Sequence, residues 1–165
     1  MSFLGIVANN DDYEFIKNKL AKNDKPSKLD VIQLNKDSIE NMKNVKFDTV
    51  AICLDAEKTG YINILSENIL PEAKCLIINS DLNSIKGKLN TDTNQIITYG
   101  MNQKATVTTS SIKDDEVLIC LQRNMTNFNG DVIEIQEFKT KTENIDNNKV
   151  SNLLAAFTIE QLYLL

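Results

Sequence analysis

The chain has 165 residues, 42% of them hydrophobic and 25% charged, with a net charge of −5. That length and balance suit one folded domain, and the acidic excess, with no local cluster of Lys and Arg, argues against the backbone of a nucleic acid as a partner. Histidine is absent, which excludes Ser-His and Cys-His nucleophile pairs, imidazole acid–base chemistry and His-ligated zinc.

Cys53, Cys75 and Cys120 each lie inside an apolar run. Their odd number and wide spacing argue against a disulfide framework, so they read as small core residues. Met1–Val7 lacks the apolar region and cleavage site of a signal peptide. Val150–Leu165 carries Ser151, Asn152, Glu160 and Gln161 and falls short of the ~20 apolar residues that a membrane span requires. The expectation is a soluble, cytoplasmic protein without a membrane span.

In chain order, Ser2–Ala8 reads as a buried strand. Asn9-Asn10-Asp11-Asp12 follows, and Asn or Asp is what the start of a helix asks for, because such side chains accept from the unpaired N–H groups of the first turn. Tyr13, Ile16 and Leu20 then recur at helical spacing, and Asp24-Lys25-Pro26-Ser27 closes the helix. Leu29–Leu34 is a second strand and Ser38–Asn44 a short helix. Phe47–Leu54 is nearly continuous in apolar residues, the pattern of a strand covered on both faces. Ile62–Ile69 reads as helical up to Leu70-Pro71, and Lys74–Asn79 returns as a strand, as does the run that ends in Ile96–Gly100.

The pattern then changes. Ala105–Ser111, Glu116–Arg123 and Asp131–Lys139 are strand candidates, the last two separated by a turn containing Asn129-Gly130. Asp114-Asp115-Glu116 reads as a solvated turn and Asn144–Lys149 as a polar connector. Val150–Leu165 is a final helix, whose Leu162-Tyr163-Leu164-Leu165 end either folds back on the sheet or meets a partner. Strands alternating with short helices predict an α/β layer fold with a mostly parallel sheet flanked by helices. One domain over 1–165 is expected, with an α/β core at 1–104 and a strand-rich extension plus the helix at 105–165. In such sheets, sites lie beyond the carboxyl ends of the strands, here Ala8–Asp12, Leu54–Lys58, Asn79–Asp81 and Tyr99–Asn102. Asn79, Asp81, Tyr99 and Asn102 are therefore the candidate cleft.

Four segments, in order, resemble the central, ATP-binding domain of the Mur ligases, the amide-forming enzymes of peptidoglycan synthesis. Gly5-Ile6-Val7-Ala8-Asn9-Asn10-Asp11-Asp12-Tyr13 stands where that family has its phosphate loop, Gly-x-x-Gly-Thr-Asn-Gly-Lys-Thr. Ile77-Ile78-Asn79-Ser80-Asp81 looks like its Val-x-Asn-x-Asp-Asp strand end. Ile96-Ile97-Thr98-Tyr99-Gly100 with Lys104-Ala105-Thr106-Val107 is similar to its Ile-Thr-Phe/Tyr-Gly…Ala-Asp-Val stretch. Asn148–Ala156 looks like its His-Asn-x-x-Asn-x-x-Ala-Ala helix start.

The departures from that pattern bear on function. A phosphate loop works through glycines that let backbone N–H groups close on the anion, with a Lys and a helix N-terminus supplying positive charge. Here Ala8 and Asp11 stand at the second and third glycine positions, Asp12 at the lysine, and Tyr13 at the hydroxyl residue that holds Mg²⁺. Carboxylates facing phosphates in a partly desolvated loop repel by roughly several kcal/mol, whereas capping the helix suits the same residues. The family's Asp-His pair has no counterpart at Leu54-Asp55-Ala56, and its adenine-contacting His-Asn corresponds to Asn148-Lys149. The region of its metal-binding Glu is shortened, and its two flanking domains have no counterpart in these 165 residues. The resemblance therefore implies a pseudoenzyme: no catalytic residue, no metal and no cofactor, with Gly5, Ala8, Asn9, Asn10, Asp11 and Asp12 as a degenerate loop. It implies action through a protein or ligand partner, a link to the bacterial cell wall, or a homo-oligomer formed through the C-terminal helix.

Two rival readings stand beside it. A receiver domain would gather Asp11, Asp12 and Asp55 at one sheet edge to hold Mg²⁺ through oxygen ligands, with Asp55 as phosphoryl acceptor and Ser80 and Lys104 as its hydroxyl and lysine. The strand-rich stretch after Lys104 has no place in such a domain, and no proline follows that lysine. The other rival is an ATP-independent small-molecule binder that uses the cleft at Asn79–Asp81 and Tyr99–Asn102.

Overall fold

A computed structural model describes residues 2–22, 29–55, 58, 60, 62–82 and 95–164. Strand β1 (Ser2–Val7) leads through helix α1 (Asn10–Leu20) towards β2 (Leu29–Leu34). The short helix α2 (Ile39–Met42) precedes β3 (Thr49–Ile52). Helix α3 (Ile62–Ile64) continues as a π-helical turn over Leu65–Ile69 and a 3₁₀ turn over Leu70–Glu72 before β4 (Cys75–Asn79). After β5 (Gln95–Tyr99) come β6 (Val107–Lys113), β7 (Glu116–Leu121), the small hairpin β8 (Met125–Thr126) and β9 (Val132–Ile133), β10 (Gln136–Lys141) and the long helix α4 (Asn147–Tyr163). The closing turn expected at Asp24–Ser27 lies outside the described residues, as do Ala56, Glu57 and Leu165.

The main sheet has eight strands in the order β10-β7-β6-β5-β4-β3-β1-β2. Pairing is parallel from β2 through β6 and antiparallel for β6–β7 and β7–β10. This is an α/β fold with a mostly parallel, mixed sheet. The sheet runs without a break across residue 104, so the strand-rich part extends the same layer.

Strand alternation divides the core in two. Leu4, Ile6, Ala51, Cys53, Cys75, Ile77, Ile97 and Tyr99 pack with α1 and α4 on one face. Val7, Val50, Ile52, Leu76 and Ile78 pack with Ile39 of α2 and with Ile62, Leu65 and Ile69 on the other. Nearly every residue of β1, β3 and β4 is buried because helices cover both faces. That is why Phe47–Leu54 reads as an unbroken apolar run.

Three expectations change in detail. Helix α4 starts at Asn147, inside the stretch expected to be a connector, because Asp146 caps it and accepts from the Lys149 N–H at 2.8 Å. The strand expected over Asp131–Lys139 is two pieces. Val132 and Ile133 pair with β8 in a separate ribbon, the Ile135 N–H turns to Asn124 Oδ1 at 3.2 Å, and only Gln136–Lys141 joins β7. The Asn129-Gly130 turn thus closes the small hairpin rather than linking β7 to β10. Asn127 Oδ1 organises it by accepting the N–H groups of Asn129 and Asp131, each at 2.9 Å.

Leu162 and Tyr163 fold back. Leu162 is buried, the Tyr163 hydroxyl meets Thr49 Oγ1 at 2.7 Å, and the Tyr163 ring lies 4.8 Å from that of Phe128. Leu153–Ile159 are all buried too, while Tyr163 and Leu164 are partly buried. No described helix is long and apolar enough to cross a membrane.

At the amino ends of the strands, Asp48 ties β1 to β4. Its Oδ1 accepts from Lys74 Nζ at 2.6 Å and its Oδ2 from the Phe3 N–H at 3.0 Å. Burial pushes the Asp48 pKa up, but the Lys74 ammonium and the Phe3 N–H outweigh it and hold the carboxyl below its ordinary 3.8. A depressed carboxyl adds stability that is complete above its unfolded pKa and fades as pH falls through the folded value. Acid unfolding of the Asp48→Asn variant, followed by circular dichroism, is therefore expected to depend less steeply on pH below about 4 than that of the parent chain.

Candidate functional site

The degenerate loop sits at the carboxyl end of β1, where α1 begins. Gly5 lies within β1, not in the loop: a Cβ there would stand 2.6 Å from Leu34 Cδ1 and 3.1 Å from the Phe47 ring. Its missing side chain lets β2 and the Phe47 ring close over the strand. Ala8 is buried, and Asn10 and Asp11 are exposed. Gln33 holds the loop from β2, its Nε2 donating to the Ala8 carbonyl at 3.1 Å and to Asn10 Oδ1 at 2.9 Å.

Asn9 and Asp12 cap the helix reciprocally. Asn9 Oδ1 accepts from the Asp12 N–H at 2.9 Å, and Asn9 Nδ2 donates to Asp12 Oδ2 at 2.7 Å. The other Asp12 oxygen accepts from Asn148 Nδ2 at 2.7 Å and Asn152 Nδ2 at 2.6 Å. Asn148 and Asn152 are four residues apart on α4 and so share a face. Asp12 is only 6% exposed. Its carboxylate thus sits buried at the head of α1, saturated by three amides that join the two helices. The charge that would welcome a phosphate at this helix end is already answered from within the chain. A phosphate brought to about 4 Å from Asp12 would meet roughly 4 kcal/mol of repulsion per unit charge.

Asp55 lies beyond β3 and pairs with Lys58 Nζ at 3.4 Å. Among the described residues, no group of three or more His, Cys, Asp or Glu side chains is placed to hold a metal ion. Asp11, Asp12 and Asp55 are all described, and both Asp12 oxygens are taken by Asn9, Asn148 and Asn152. The carboxylate cluster of a receiver does not assemble here.

The candidate cleft residues part company across the sheet. Asn79 and Tyr99 face α4 and are buried. Asn79 Nδ2 donates to Ser151 Oγ at 3.0 Å, and its Oδ1 accepts from the Asp81 N–H at 3.0 Å. The Tyr99 hydroxyl lies near Cys53 and Ser151 without a hydrogen bond of good geometry to either. Burial, and next the Cys53 thiol, push its pKa well up. Burial likewise takes the Cys53 and Cys75 thiols to about 12, so neither is a thiolate nucleophile at neutral pH.

Asp81 and Asn102 instead line an open cleft of about 620 Å³ on the other side, together with Ser80, Thr98, Gln103 and Lys104. Asp81 organises its floor. Oδ2 accepts from the Met101 N–H at 2.7 Å, while Oδ1 accepts from the Asn102 N–H at 3.2 Å and from Asn102 Nδ2 at 2.7 Å. The turn must start with glycine: Gly100 has φ +155°, and a Cβ there would stand 2.8 Å from Asp81 Oδ2. Alternation along β4 and β5 puts Ser80 and Thr98 on the cleft side and Asn79 and Tyr99 on the helix side. That signal was available in the sequence. The polar face of α4 made by Asn148 and Asn152 was visible only as part of the resemblance.

No protein-family model matches the chain, and no curated protein matches it either.

Proposed function

We propose that this chain is a non-catalytic, Mur-ligase-like protein that acts by binding, with cell-wall metabolism as its setting. The observation that carries the proposal is the buried Asp12 carboxylate, held by Asn9, Asn148 and Asn152 where the resembled family keeps the lysine of its phosphate loop. A loop closed by its own acid has no use for a triphosphate. Titration calorimetry with ATP and Mg²⁺ is the test. The expected result is no binding in the micromolar range; a micromolar complex would refute the loss of nucleotide chemistry. A phosphoryl adduct formed with a small phosphodonor, and lost in Asp55→Ala, would instead support the receiver reading.

Binding of a small molecule without ATP is favoured by a separate observation, the polar cleft of about 620 Å³ at the carboxyl ends of β4 and β5. It lies away from the β1–β3 switch point of the strand order, where ligands of doubly wound sheets usually sit. At that switch point the Asp12 cluster and α4 fill the space.

A further inference from the structure

We infer that β10 pairs with β10 of a second copy of the chain, in one antiparallel register centred on Phe138, and so joins two sheets edge to edge. Neither the cleft beyond β4 and β5 nor the loop at Asp12 takes part.

Main-chain geometry leaves the edge open. β10 is the outer strand of the sheet, with β7 on its inner side. The Thr142 N–H donates to the Asp115 carbonyl at 2.8 Å. Bonded pairs alternate along an antiparallel ladder, so Gln136, Phe138 and Thr140 turn their N–H and C=O groups to β7. Glu137, Lys139 and Lys141 turn theirs outwards, a template for another strand. Val132 and Ile135, the two most exposed large apolar side chains among the described residues, lie just before this strand.

Charge then selects both the occupant and the register. Lysines on an edge strand usually guard it against pairing, but here the guard has its complement two residues away. Antiparallel self-pairing must set outward residues against outward residues, which allows centres at Glu137, Phe138 or Lys139. The first opposes two carboxylates and the last two ammonium groups, and like charges directly opposite are destabilising. Centred on Phe138, Glu137 of each copy faces the partner's Lys139, and each such pair exchanges both its main-chain hydrogen bonds. Both side chains have charge to give. Lys139 pairs with Glu116 at 2.8 Å, yet its side chain stays 64% exposed. Glu137 is exposed and accepts from a neutral donor, Ser110 Oγ, at 3.0 Å.

The same register lays Phe138 against the partner's Phe138 across a two-fold axis. On that face its ring already meets the Phe157 ring at 4.7 Å. A pocket of about 270 Å³ opens beside it, lined by Ile119, Leu153 and Ala156, so the second ring finds apolar surface to cover. A contact of this isologous kind closes at two copies.

One pair of strands is a small interface, so the expected dissociation constant is on the order of 100 µM. Sedimentation velocity from about 10 µM to about 1 mM reads it. Glu137→Lys and Lys139→Glu each set like charges face to face and are expected to weaken the dimer roughly tenfold or more. Mixed in equal amounts, the two variants are expected to associate again. One chain then carries lysine at both positions and the other glutamate at both, so every facing pair is opposite in sign. In the parent chain, hydrogen exchange at the Glu137 and Lys139 amides is expected to slow as concentration rises. The Phe138 and Thr140 amides, bonded to β7 in either state, are expected to stay unchanged. A parent chain that remains monomeric at about 1 mM overturns the proposal. So does a dimer indifferent to Glu137→Lys, a mixture no more associated than its components, or a dimer whose Glu137 and Lys139 amides stay unprotected.

Discussion

Replacing Asp12 with alanine is expected to lower the stability of the chain by about 3 kcal/mol, because it strands the buried Asn152 amide and breaks the network that ties α1 to α4. Asn9, Asn148 and Asn152 all direct an amide at this one carboxylate, and Asn152 is itself 4% exposed. The same change removes a negative charge from the first turn of α1, where it complements the helix dipole. For a chain of this length the loss corresponds to a fall in Tm of roughly 6–12 °C. Asp12→Asn keeps one accepting oxygen and should fall between the two. A double-mutant cycle with Asn152→Ala is expected to show coupling of about 1 kcal/mol or more, since both residues belong to one network. Were Asp12 a vestigial loop residue in contact with solvent, all three substitutions would leave Tm within a degree or so of the parent.

Gly5→Val is expected to cost about 3 kcal/mol through overpacking alone. The strand position is buried and flanked by β2 and β3, and even a single Cβ would stand 2.6 Å from Leu34 Cδ1. Leu34 and Phe47 are both essentially inaccessible to solvent, so neither can swing away. Thermal unfolding followed by circular dichroism reads the effect, and the compensating Phe47→Leu change should restore part of it. A glycine kept for phosphate binding would behave otherwise, since its substitution would alter nucleotide affinity and leave Tm alone. In this chain the first glycine of the apparent motif serves packing.

Much of the layer order was legible because long apolar runs and their halting polar turns are local signals. β1, α1, β2, β4 and β7 fall close to where periodicity puts them. Boundaries slipped where tertiary partners decide the outcome. Asn147–Lys149 has the composition of a linker, yet Asp146 caps it into α4. Val132 and Ile133 have the composition of a long strand that continues to Lys139, yet they pair with β8 and leave the main sheet to β10. At the candidate cleft, alternation separates Ser80 and Thr98 from Asn79 and Tyr99, but Asn102 lies in the turn beyond β5, where alternation no longer assigns a face. Asn79 and Asn102 look equivalent in sequence; one is buried against Ser151 and the other lines the cleft. The partnership of Asp12 with Asn148 and Asn152 spans 136 and 140 residues of chain, and no local pattern encodes so distant a contact.

The most direct test of the closed loop follows the backbone amides of Asn9, Asn10, Asp11, Asp12 and Tyr13 during titration with ATP and Mg²⁺. A phosphate seated at the head of α1 must displace those N–H resonances, because they are the donors that would cradle it. These resonances are expected to stay in place at nucleotide concentrations of about 1 mM. Saturable movement of these five amides, with the Asn148 and Asn152 side-chain amides released from Asp12, would contradict the closed loop.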